Sequence, residues 1–326
     1  MTQSTFRTVL VPLDGSAFAE QALLVAAKLA KPSGACLHVV MVAPPASVMA
    51  RDQPGSGATA MTVPELEEGL GQYLATATEA ISTTHGVRAT WALLHGWPPT
   101  SLATYARHHQ IDLIVMTTHG RGGVSRFWLG RVADQLLRSA TAPVLLFRPG
   151  HTPPTDFHRI LLALDGSAVS ESALGPALAL ALLTQESRIA VAQVVEAPSL
   201  TPSQWLIPTL VPPERTEAER KAAAAKLEQL ARRIREGGLP VEVKVVTGAS
   251  VAEAILELAR TEGSDLIVVG THGTGGVKRL LLGSVADKVV RGATLPVLVV
   301  PVKARQVRRR PSRAGRAENL AAGSVD

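Results

Sequence analysis

Short apolar runs alternate with longer amphipathic ones along the whole chain. In the first half VLVPL (9–13), LHVVMVA (37–43), VRATWALL (87–94), DLIVMTT (112–118) and PVLLF (143–147) have the length and β-branched content of strands. VLVPL, DLIVM and, further on, DLIVV (265–269) are continuously apolar rather than alternating, which predicts parallel strands covered by helices on both faces. The intervening stretches carry helix signals. Ser16 can accept from the unpaired amides of a first turn, with Glu20 near the positive helix end, and Ser167 and Glu171 repeat that arrangement. A helix of about 20 residues is expected before VRATWALL, others near 99–109 and 130–140, and EAERKAAAAKLEQLARRIREGG ends in glycines that suit a helix stop. Regular alternation of strand and helix makes this an α/β chain of doubly wound layers.

The pattern occurs twice. FRTVLVPLDGSAFAEQAL (6–23) corresponds to FHRILLALDGSAVSESAL (157–174), DLIVMTTHG to DLIVVGTHG, and PVLLFRP to PVLVVPV, at offsets of 151 to 153 residues. VMTTHGRGGVSRFWLGRVAD (115–134) and VVGTHGTGGVKRLLLGSVAD (268–287) agree at thirteen of twenty positions. Two long homologous units, not a short-period solenoid, are therefore expected: residues 1–149, a Pro- and Gly-punctuated linker at 150–156, residues 157–303, and a tail at 304–326. Each unit ends in an apolar strand that would be an exposed sheet edge. The two halves are expected to meet across these strands in a pseudo-twofold arrangement.

In doubly wound folds ligands bind beyond the carboxyl ends of the strands. LDGS and THGxGG both fall there. Glycines let backbone amides approach an anion, and a helix start offers unpaired N–H groups with partial positive charge. A tight turn with a helix cap would explain THGTGG equally well. A second glycine at the next helix start, Gly283, and an aspartate after the first strand favour a phosphate cradle. GxxxxGK[ST], GxGxxG and SGGxDS are all absent, so a P-loop enzyme, a dinucleotide oxidoreductase and an adenylating pyrophosphatase are disfavoured. No catalytic residue and no metal ligand is assigned.

The order VLVPLDGS, LHVV, DLIVVGTHGTGGVKRLLLGSVADKVV, PVLVV resembles the universal stress protein family in its tandem form, over residues 5 to 303. The resemblance implies two five-stranded parallel sheets of the adenine nucleotide α-hydrolase type, with ATP and Mg²⁺ as cofactor. The ATP-binding members carry glycine, two residues, glycine, nine residues, then glycine and serine or threonine; Gly270, Gly273, Gly283 and Ser284 match this. By that resemblance Gly273, Gly283, Ser284 and the Val285 amide hold the phosphates, and Gly270 lies by the ribose. Asp165 addresses the ribose or adenine side, and the Val195 backbone the adenine edge. The first half keeps Asp14, Val42, Gly120 and Gly130, but Thr117 replaces the first glycine and Arg131 the serine. Arg131 either pairs with a phosphate as a guanidinium fork or fills the cleft; a retained but altered site is the expectation carried forward.

Composition changes this picture little. The net charge of +6 is concentrated beyond residue 302, where seven Lys or Arg face two acids, so the tail reads as disordered and solubilising. With 3% aromatic residues the body has little to stack on bases, which argues against nucleic acid as a partner. No apolar run approaches a membrane span, no signal peptide is visible, and the single Cys36 lies in a strand, so the cytoplasm is expected and no membrane partner. His119 and His272 are expected to be structural loop residues, Trp91, Trp97 and Trp128 packing residues, and Asp134 and Asp287 structural residues of the last helix of each half. His108 and His109 favour a helix carboxyl end, and Asp112 and Asp265 are expected to bind backbone amides before the fourth strand. The function expected is an ATP-dependent stress regulator, not an enzyme, with an unknown protein partner and a homodimer or a pseudo-dimer of the halves. Alternatives are a scaffold with degenerate nucleotide sites and a slow ATPase.

Overall fold

A computed structural model of the chain describes residues 6–43, 62–118, 129–148, 156–167, 170–196, 213–271 and 282–302. The expected tail, most of the expected linker, and Gly120, Gly273, His119, His272 and Trp128 lie outside the described residues. The first half contributes β1 (Thr8–Leu13), α1 (Ala17–Ser33), β2 (Cys36–Ala43), α2 (Val63–His85), β3 (Arg88–His95), α3 (Pro98–His108), β4 (Leu113–Thr117), α4 (Arg131–Ser139) and β5 (Val144–Phe147). The second contributes β6 (Arg159–Leu164), a 3₁₀ turn (Ser170–Ala173), α5 (Leu174–Ala181), β7 (Arg188–Glu196), α6 (Pro213–Arg235), β8 (Val241–Gly248), α7 (Val251–Thr261), β9 (Leu266–Gly270), α8 (Ser284–Gly292) and β10 (Val297–Val300).

The strands form one ten-stranded sheet in the order β3-β2-β1-β4-β5-β10-β9-β6-β7-β8. Every pairing within a half is parallel. The halves join where β10 runs antiparallel to β5, with Leu298 opposite Leu145 and Val297 opposite Leu146. Both junction strands are buried at every position. Burial of these apolar strands removes two sheet edges at once, which is the driving force for the join.

The sheet has a core on each face. On one, α1, α2, α5 and α6 pack through Ala22, Leu74, Ala177 and Leu230; on the other, α3, α4, α7 and α8 pack through Leu102, Leu136, Ile255 and Val289. β1, β4 and β9 are buried almost throughout, as their continuous apolar sequence requires. The outermost strand β3 is half exposed, and this overturns the packing expectation for two tryptophans. Trp91 on β3 and Trp97 before α3 are 45% and 47% exposed.

Ser16 caps α1 through a 3.2 Å bond from the Ala19 amide, and Ser167 accepts likewise from Ser170 at 3.1 Å. The helices after these caps nevertheless differ. The 17 residues of α1 correspond to a 3₁₀ turn and the eight residues of α5. Pro176 accounts for the break, because a residue without an N–H fits the first turn of a helix and not its interior.

Candidate functional site

Ladder register brings the candidate residues of the second half to one edge. Ala163 pairs with Val269 and Leu164 with Gln193, so Asp165, the end of β7 and Gly270 emerge together at the carboxyl ends of β6, β7 and β9. The same holds in the first half for Asp14, Val42 and Thr117 beyond β1, β2 and β4.

The DGS turns are alike. Asp165 Oδ1 accepts from the Ser167 amide at 3.0 Å and its hydroxyl at 2.6 Å, and Asp14 accepts from Ser16 at the same two distances. Each carboxylate thus closes its own turn and pre-orients the serine that caps the next element. Gly166 has φ +77°, which favours glycine, and a Cβ there would lie 3.3 Å from the Gln193 amide group. Lys226 of α6 donates to the Gly166 carbonyl, which brings a cation beside this turn in the second half; sequence reading did not single it out. Its distance in sequence, 60 residues, hides it.

The cradle loops are closed at their base. The Gly283 amide donates to the Thr271 carbonyl at 2.6 Å, and Gly130 donates to Thr118 at 2.8 Å. Gly283 and Gly130 are also the N-caps of α8 and α4, and neither helix has a side-chain cap. The first-turn amides, including those of Ser284 and Val285, are the donors a helix cannot satisfy internally, and a phosphate fits such a start. Gly270 and Gly283 place no side chain across the approach. Ser284 is exposed and Val285 half-buried, so both can reach a ligand. In the first half Thr117 is buried and Arg131 stands exposed at the first position of α4. The loop base therefore keeps one geometry in both halves, and the two substitutions alter only what lines it.

Register shows that Val42 and Val195 are not equivalent positions. Met41 lies beside Leu13 as Gln193 lies beside Leu164, so the counterpart of Val42 is Val194, and Val195 is the counterpart of Ala43. A one-residue step on a strand turns a side chain to the other face. Val42 and Val194 are half-buried, whereas Ala43 and Val195 are buried. Val194, not named from the sequence, is the residue that matches Val42.

The remaining candidates are structural. Asp112 accepts from the Arg7 and Thr8 amides, and Asp265 from those of His158 and Arg159, so both tie the start of the half's first strand rather than the fourth. Burial raises the Asp265 pKa, opposed by those amide bonds. Asp134 pairs with Arg138 at 3.0 Å and Asp287 with Arg291 at 2.9 Å, each one helical turn apart. Arg291 also reaches Asp134 across the junction at 3.3 Å, and Arg148 donates to the Arg291 carbonyl. His109 caps α3 and stacks on Tyr105, with ring centroids 4.0 Å apart. Among the described residues no three His, Cys, Asp or Glu converge to hold a metal, and no helix is long and apolar enough to cross a membrane.

Similarity to known proteins divides along the two halves. The profile of the Universal stress protein family matches residues 5–148 and again 156–301. A universal stress protein of Mycobacterium tuberculosis is 29% identical over 335 residues, covering 92% of this chain and 96% of that protein. Another from the same species is 30% identical over 205 residues; the chain spans 62% of its length, less than two thirds. One from Bacillus subtilis is 34% identical over 149 residues, 44% of this chain and 99% of the relative. Among solved structures, a universal stress protein from Archaeoglobus fulgidus superposes with TM-score 0.67 at 21% identity, over 90% of this chain and 98% of its own. A protein of unknown function from Pseudomonas aeruginosa gives 0.61 at 17% identity, over 92% and 94%. The structural likenesses speak to the fold.

Proposed function

Because the chain belongs to the universal stress protein family, we propose that it binds ATP in its second half and acts in the cytoplasm as a nucleotide-dependent stress regulator, without a dedicated catalytic step. The observation that carries this reading is the base of the second loop. There Gly283 is anchored to Thr271 and opens a helix that no side chain caps, beside a strand that ends in glycine. The amides of Ser284 and Val285, with Gly283, would hold the phosphates, electrostatically as anions at a helix start. Gly270 would lie along the ribose, with Asp165 at the ribose or adenine side and the end of β7 at the base. Gly273, outside the described residues, completes the motif in sequence. Mg²⁺ would be carried in on the phosphates and lower their charge. The first half, with Thr117 and Arg131 in the corresponding places, would hold a weaker or differently shaped ligand.

Calorimetry on the full chain tests this. Gly283 has φ −60° and ψ 148°, a conformation open to any residue, so Gly283→Asp should fold. Its carboxylate would cap the helix itself and repel phosphate, and ATP affinity should fall at least about tenfold. Arg131→Ser should leave the second site untouched. An unchanged isotherm in Gly283→Asp would overturn the assignment.

A further inference from the structure

At the amino ends of β6, β7 and β8, the edge opposite the second cradle, the sheet and the turn after α7 line a half-open cavity of about 140 Å³. It is lined by Arg159, Arg188, Glu242, Glu262 and Ser264, with half-buried Ala190 and the fully buried Ile160 and Ile189 behind them. A single water needs only about 10–15 Å³ on a comparable measure, so the space suits a small organic molecule.

At the corresponding place in the first half, aromatic and imidazole rings pack together. Register and repeat place His38 where Ala190 lies, Tyr105 where Leu258 lies, and His109 where Glu262 lies. His38 Nδ1 is 3.1 Å from the Tyr105 hydroxyl, Tyr105 stacks on His109, and the His38 and His109 centroids are 5.4 Å apart. In the second half those rings are replaced by smaller or charged side chains, and the same place in the fold is open.

The charges around the opening are arranged unevenly. Arg159 and Arg188 are register partners on adjacent strands, where the first half has the neutral pair Thr8 and Cys36. Like charges directly opposite each other destabilise a sheet. Among the described residues neither guanidinium takes part in a hydrogen bond or ion pair. The nearby acids are already engaged. Lys244 sits between Glu242, at 3.1 Å, and Glu262, at 2.9 Å, while Asp265 accepts the His158 and Arg159 amides. Arg159 is also seated by the turn beneath it. A Cβ at Gly263 would come within 2.8 Å of its Nη1. Gln110 adopts nearly the same backbone in the first half, φ 53° against 59°, so the closeness to Arg159 is a feature of the second half alone.

We propose that this cavity is a second ligand site, separate from the nucleotide cradle. It takes a small organic anion whose carboxylate or phosphate is shared by Arg159 and Arg188 and whose short body lies against Ala190. Two guanidinium forks match a planar carboxylate or a phosphate face, and the bound charge removes the repulsion between them. The ligand would also explain why the second half tolerates this pair.

The test is a titration of the isotopically labelled full chain, followed by NMR at the Ala190 and Ser264 amides, with the Ser284 amide reporting separately on the cradle. Succinate and methyl phosphate are the two probes. Saturable shifts at Ala190 and Ser264 with either probe support the site, and the probe that binds more tightly assigns the head group. Arg188→Gln, at an exposed position, should weaken binding about tenfold or more, as expected for a lost charge-assisted contact. Ala190→His, which restores the ring of the first half and keeps both arginines, should abolish it. No saturable shift with either probe would overturn the proposal, as would unchanged affinity in both variants. Neither result depends on whether ATP binds elsewhere.

Discussion

Thr117 and Gly270 end equivalent strands, and the difference between them is a buried, β-branched side chain at the approach to one cradle and none at the other. Such differences were legible in the sequence because the flanking loop is repeated almost unchanged. The end of the second strand was not. Two adjacent valines, Val194 and Val195, stand where the first half has Val42 and Ala43, and composition cannot fix which valine faces which side; only the pairing of Gln193 with Leu164 makes Val194 the counterpart of Val42. Asp112 and Asp265 were assigned the right kind of partner, backbone amides, but the wrong strand, since the amides are contributed from more than a hundred residues away. His38 yields a prediction at this scale. Burial, and then the neighbouring His109, hold its pKa below the ordinary histidine value. The unfolded chain therefore binds this proton at about pH 6.5, where the folded chain does not yet, and stability is lost as the pH falls through that value. His38→Gln should flatten the decline in melting temperature between about pH 7 and pH 5. A slope as steep as that of the parent would assign the acid sensitivity to another group.

At the scale of elements, α4 and α8 do two things at once. Their amino ends are the candidate anion sites, and Asp134 and Asp287 of their first turns meet Arg138 and Arg291 of their last turns at the junction of the halves. The spacing of each Asp four residues before an Arg is visible in the sequence and announces a pair along one helix. The bridge from Arg291 to Asp134 is not visible, because it exists only once β10 lies against β5. These groups are partly exposed, so solvent screens them. A double-mutant cycle of Asp134→Ala and Arg291→Ala, measured by urea denaturation, should return a coupling of about 1 kcal/mol or less. A coupling well above that would mean that the pair is shielded from solvent and holds the junction in its own right. The helix after the first strand teaches the opposite lesson about legibility. The Ser cap was readable twice, yet Pro176 divides one copy into two short pieces.

For the whole molecule, the join sets where the sites lie. The strands of the two halves run in opposite directions, so the two cradles lie at opposite edges of the sheet. The parallel order of each half could be read from its apolar runs. The destination of the last strand required knowing that two such edges exist in one chain. A separated first half, residues 1–149, would expose β5, whose four positions are all buried in the full chain. It should pair with a second copy of itself through that strand and sediment as a dimer or larger species, whereas Leu145→Lys should hold it monomeric. A monomeric separated half with unaltered β5 would show that the junction needs more than apolar edges. In a homodimer built through β5, every substitution is written into both subunits, so a residue that closes an opening on one side closes it on the other. Here the two copies are a single gene product with independent positions. One half can keep a stack of rings while its counterpart keeps a cavity, and one loop can lose a glycine while the other retains it. Two unlike copies in one chain are released from the obligation of symmetry, and each half can carry side chains of its own while the other stays its permanent partner.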